Sequence, residues 1–77
     1  MPSPQSSQEE LVRQLQDAGF RVDYRSTAVI RLVHHAYPGV EVRLGTVYLV
    51  VARDAREIYR APLRSASVSE ALRRLGE

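Results

Sequence analysis

Val40-Glu41-Val42-Arg43-Leu44-Gly45-Thr46-Val47-Tyr48-Leu49-Val50-Val51 decides the fold of this chain. It reads as two strands reversed at Gly45-Thr46, because a type II′ hairpin turn wants glycine where φ must be positive. Leu44 then faces Val47, Val42 faces Leu49 and Val40 faces Val51. Side chains alternate along a strand, so all six apolar residues share one face. The rival reading is one long strand with a bulge at Gly45.

Upstream, Ala28 to Ala36 predicts an interior strand, with Ile30 and Leu32 on one side and Val29 and Val33 on the other. Pro38-Gly39 is a turn by composition. Two-residue and three-residue loops there place Ile30 and Leu32 on opposite faces. The three-residue loop is preferred, since it stacks Ala36, His34, Leu32 and Ile30 with Val40, Val42 and Leu44. Phe20 to Arg25 alternates, with Phe20, Val22 and Tyr24 on one face and Arg21, Asp23 and Arg25 on the other. Downstream, Arg53-Asp54-Ala55-Arg56 reads as a polar loop and Glu57 to Ala61 as the last strand. That pairing sets Ile58 beside Val51 on the core face and Tyr59 beside Val50 on the opposite one. Pro62 blocks further ladder bonding.

Two helical patterns flank the strands. Ser7-Gln-Glu-Glu10 has the form of a capping box, followed by an apolar stripe at Leu11, Val12, Leu15 and Ala18 and a stop at Gly19. Ser67-Val-Ser-Glu70 repeats the pattern, with Val68, Ala71, Leu72 and Leu75 as the stripe and Gly76 as the stop. Neither helix is long enough to be stable alone. The sheet's apolar face is the one surface available to both. The expected fold is α+β: a two-layer sandwich of an antiparallel four- or five-stranded meander with both helices on one face, in the order α-β-β-β-β-β-α. Residues 1–6 read as a disordered lead-in and 7–77 as a single domain.

Composition narrows the chemistry. At 77 residues and 44% hydrophobic, the chain is expected to form one globular core. It has no cysteine, which excludes disulfides, thiolate catalysis and cysteine-ligated zinc. It has neither a long apolar run nor a secretory signal pattern, so a cytoplasmic location away from membranes is expected. All of the basic charge is arginine, with no lysine and no asparagine. A GC-rich genome accounts for both absences, since their codons begin with AA; selection for arginine's planar fork is the alternative. Without lysine, Schiff-base chemistry and a P-loop are impossible. A formal net charge of +2 is a weak footprint for nucleic-acid binding.

His34 and His35 are adjacent, so on a strand they point to opposite faces and cannot close on one metal ion. The carboxylates mark out no acid–base pair, the serines lie in tail, caps and loops, and the glycines form no phosphate loop. No catalytic residue, metal or cofactor is expected. The outer sheet face is the surface that suggests binding. It gathers Glu41, Arg43, Tyr48, Val50, Glu57 and Tyr59, with Arg21, Asp23 and Arg25 beside them. Arg21, Arg25, Glu41, Arg43, Tyr48 and Tyr59 are the candidate partner-binding residues, because tyrosine and arginine are enriched at binding hot spots. An ordinary solvated face, stabilised by cross-strand pairs, is the alternative.

Leu-Val-Arg-Gln-Leu-Gln-Asp-Ala-Gly-Phe, residues 11–20, resembles the opening helix of HicA-type mRNA interferase toxins. That family continues with strands and a closing helix and carries its catalytic histidine in a Gly-Ser-His stretch. The matching region here reads Arg25-Ser-Thr-Ala-Val29, without a histidine, so the resemblance implies no activity. The expected function is a small non-catalytic interaction module, regulatory or inhibitory, that binds another protein through the open sheet face or an edge strand. The alternative is a nucleic-acid-binding domain of modest affinity, including a degenerate HicA-like toxin–antitoxin component. A monomer or a two-fold homodimer is expected, joined by the first strand or by the Tyr48/Tyr59 face.

Overall fold

The computed structural model describes residues 4–76, with side chains from Gln8 onward. Helix α1 (Pro4–Asp17) leads into strands β1 (Arg21–Arg25), β2 (Ile30–Val33), β3 (Val40–Leu44), β4 (Tyr48–Arg53) and β5 (Arg56–Pro62). A 3₁₀ turn (Leu63–Ser65) and helix α2 (Val68–Leu75) follow. The strands form one antiparallel meander in sequence order. The α+β fold and its element order are therefore as expected, with five strands. Both helices bury their stripes on the same face: Leu11, Val12, Leu15, Val68, Ala71 and Leu75 join Ile30, Leu32, Val42, Leu44, Leu49 and Val51 in a single core. None of the described residues buries a polar side chain.

The decisive hairpin exists, but its reversal is centred on Thr46-Val47. Leu44 pairs with Leu49 and Val42 with Val51, two positions from the expected register. A shift of two preserves the face of every residue in the ladder. It carries Val47 out of the ladder, where it is 57% exposed. Gly45 is not among the glycines with positive φ, so the type II′ turn is absent. The observed register sets the two leucines directly opposite each other, both fully buried. Gln8 Nε2 of α1 donates to the Leu44 and Gly45 carbonyls at 3.2 and 2.9 Å, fixing the helix against this end of the hairpin. The β2–β3 pairing is displaced likewise: Leu32 meets Val42 and Ile30 meets Leu44, on the expected face, while His34 and Ala36 leave the ladder.

The helix boundaries have local causes. α1 starts at Pro4, so Ser7 lies inside it and is not its cap. Of the lead-in expected over residues 1–6, residues 1–3 lie outside the described residues. The helix ends in a Schellman motif, with Gly19 N donating to Gln16 O and Phe20 N to Leu15 O, both at 3.0 Å. Gly19 sits at φ +102, and a Cβ there would stand 2.5 Å from His34 Nε2. α2 has the expected cap: Glu70 N donates to Ser67 Oγ at 3.2 Å. Glu70 does not reach back, and the Ser67 N–H instead donates to Tyr59 Oη at 3.2 Å.

Candidate functional site: the open sheet face

With both helices on one side, no element among the described residues covers the other face of the sheet. Two edge bulges decide which residues reach it. In β1 the pairing passes from Val22↔Leu32 to Tyr24↔Arg31, leaving Asp23 as the extra residue. In β5 it passes from Ala52↔Glu57 to Val51↔Tyr59, leaving Ile58 extra. One inserted residue reverses the facing of everything beyond it.

The bulges correct two of the six candidate residues. Tyr59 was expected on the open face; it lies on the helix side, packed against the core and bonded to the N-cap of α2. Arg25 was expected beside Arg21; it pairs with Ile30 on the helix side, where its Nη1 reaches Glu9 Oε1 of α1 at 3.2 Å. Tyr24 moves the opposite way, to 52% exposure. Arg21, Glu41, Arg43 and Tyr48 are on the open face, as expected.

Across the strands these residues form rows. One runs Arg21, Val33, Glu41, Ala52, Glu57 and the next Tyr24, Arg31, Arg43, Val50, Arg60. Each arginine of the second row is tied to a carboxylate: Arg43 and Arg60 to the first row's Glu41 and Glu57, Arg31 to the bulged Asp23 between the rows. Arg31 Nη2 meets Asp23 Oδ2 at 2.9 Å, Arg43 Nε meets Glu41 Oε2 at 2.5 Å, and Arg60 Nε meets Glu57 Oε1 at 3.6 Å. Two arginines also cover rings: Arg31 Cζ is 5.8 Å from the Tyr24 centroid and Arg60 Cζ is 5.2 Å from that of Tyr48. Arg43 and Thr46, with the apolar Ala28, Val29, Val47, Tyr48 and Val50, line a shallow depression. Among the described residues the exposed large hydrophobics are Tyr24, Val47 and Tyr48: the tyrosines face out from this side of the sheet, and Val47 lines the same depression.

Arg31, Arg60 and Tyr24 are the charged and aromatic residues of the second row that the candidate set lacks. Arg31 was legible, since it sits between Ile30 and Leu32, the pair assigned to the core face. Tyr24 and Arg60 were not, because each lies beyond a bulge.

The histidines form a structural cluster. β2 ends at Val33, so they are not on opposite strand faces as expected; their rings stack, with centroids 5.2 Å apart. His34 Nδ1 accepts from Ala36 N at 3.0 Å, which leaves Nε2 to donate to Ala18 O at 3.2 Å. Both nitrogens are thereby engaged in holding the end of α1 against the β2–β3 turn, with Phe20 edge-on at 4.9 Å. Among the described residues no group of three or more acidic or histidine side chains could hold a metal ion.

No family model, no curated protein and no solved structure matches this chain. The likeness of residues 11–20 to the HicA opening helix rests on those residues alone.

Proposed function

We propose that this chain is a non-catalytic protein-interaction module that binds its partner through the open sheet face. The observation that carries the reading is the exposure of Tyr24, Tyr48 and Val47 on the side of the sheet away from both helices, with Tyr48 and Val47 sharing one depression. Tyrosine supplies broad contact area at low entropic cost, and arginine paired across a ring adds direction. Of the two routes expected from sequence, the edge strands suit binding less. Both β1 and β5 carry bulges, which interrupt the regular ladder that an added strand needs.

A nucleic-acid-binding reading draws on the row of Arg31, Arg43 and Arg60 flanked by tyrosines, which suits stacked single strands. Against it, each of those arginines already holds a carboxylate. The test is capture from the native host by the tagged chain, compared with Tyr48→Ser on the open face and Gln16→Ser on exposed α1. Loss with the first and retention with the second supports the open face. The reverse result moves the interface to the helices. Tight binding of mixed single-stranded RNA or DNA, with log K falling steeply against log[salt], would replace this reading with the nucleic-acid one.

A further inference from the structure

We propose that the open face is self-complementary and that its occupant is a second copy of this chain, packed face to face about a two-fold axis that crosses the strands. The inference rests on the open-face reading above and adds the identity of the partner.

The charge arrangement argues for it. Two of the ion pairs, Arg43–Glu41 on β3 and Arg60–Glu57 on β5, run along their strands with the same polarity, carboxylates toward one end and guanidiniums toward the other, while Arg31–Asp23 crosses from β2 to the bulge of β1. Parallel dipoles abreast repel, and an antiparallel set laid over them is attractive. A two-fold axis lying between the two rows and parallel to them supplies that set, because it exchanges one row for the other. On β3, Arg43 then meets the partner's Glu41. On β5, Arg60 meets the partner's Glu57. On β4, Val50 covers the partner's Ala52, an apolar contact between charged flanks. On β2, Arg31 lies over the partner's Val33 with its charge kept on its own Asp23, and on β1 Tyr24 covers the partner's Arg21. Among the described residues Arg21 is the one open-face arginine with neither a carboxylate nor a ring beside it. An axis running along the strands would instead lay the arginine row on its own copy, so the charges select one geometry.

The test is sedimentation equilibrium of the full chain from micromolar to millimolar concentration, with Glu41→Arg, Arg43→Glu and the two combined. The parent is expected to dimerise. Glu41→Arg and Arg43→Glu each set like charges opposite, and the two-fold axis repeats the clash. Either should weaken the dimer about 100-fold, taking about tenfold per contact. The combined variant restores opposite charges and should dimerise within about threefold of the parent. Mixing the two single variants should likewise give a heterodimer, which serves if the combined variant does not fold. A parent that is monomeric throughout would overturn the proposal, as would a dimer indifferent to both single changes or a folded pair that fails to associate on mixing. A monomeric parent whose host partner is still lost with Tyr48→Ser removes only the second copy and leaves the open-face reading standing.

Discussion

Individual residues carry several of the sharpest constraints. Asp54 and Ala55 form the two-residue β4–β5 turn with φ of +51 and +70, the geometry of a type I′ reversal. Alanine is a poor choice for that position, because its Cβ crowds the following carbonyl. Ala55→Gly is expected to raise the urea midpoint, by about 1 kcal/mol in stability. Gly39 is the converse case. It sits at φ +81, its carbonyl accepts from Asp54 N at 2.9 Å, and a Cβ on it would clash with Asp54 Oδ1. Gly39→Ala should therefore destabilise. Tyr59→Phe removes the acceptor from the half-buried Ser67 N–H, and thermal melts should register about 1 kcal/mol lost. Unchanged melting in that variant would place Tyr59 on the other face of the sheet.

At the scale of elements, α2 depends on its ends. Ser67→Ala should cost about 1 kcal/mol, read as a lower urea midpoint. Ser7→Ala should not destabilise, because Ser7 lies within α1 and alanine is the better helix former. The Arg73 hydrogen bond, with Arg74 and the charges of both arginines assisting, holds the Glu70 carboxyl below its ordinary value. A depressed carboxylate stabilises the fold above its unfolded pKa, and that contribution is lost as pH falls through the folded value. Melting temperatures of Glu70→Gln should accordingly fall less steeply on acidification than those of the parent. At the other end of α2, Arg53 Nη2 donates to Leu75 O at 2.9 Å, placing a cation where the helix dipole favours one.

Across the whole molecule, the core distinguishes the observed hairpin from the one the turn residues suggest. Leu49 is fully buried opposite Leu44, so Leu49→Ala should cost about 2–5 kcal/mol. Val47 is exposed at the reversal, so Val47→Ala should leave the melt nearly unchanged. Equal losses in the two variants would restore the tighter turn at Gly45-Thr46. The molecule is a one-sided sandwich: the helices cover the face carrying Ile30, Leu32, Val42, Leu44, Leu49 and Val51 and leave the other to Arg31, Arg43, Arg60 and their carboxylates.

Local patterns in the sequence determined the element order, the N-cap of the C-terminal helix at Ser67, the stop at Gly19 and the facing of the three interior strands. Those features follow from periodicity and backbone preference within a few residues, which act before any long-range contact forms. The same reasoning placed Arg21, Glu41, Arg43 and Tyr48 on the open face. Tertiary structure decided the rest. Strand register depends on which pairs fill the core, so Leu44 took Leu49 over Val47 despite the turn residues between them. The facing of Tyr24, Arg25 and Tyr59 depends on bulges at Asp23 and Ile58, and a bulge leaves no mark on an alternating pattern. Period-two inference holds only while pairing is uninterrupted: one extra residue reverses every side chain beyond it, and only the packed sheet determines where that residue falls.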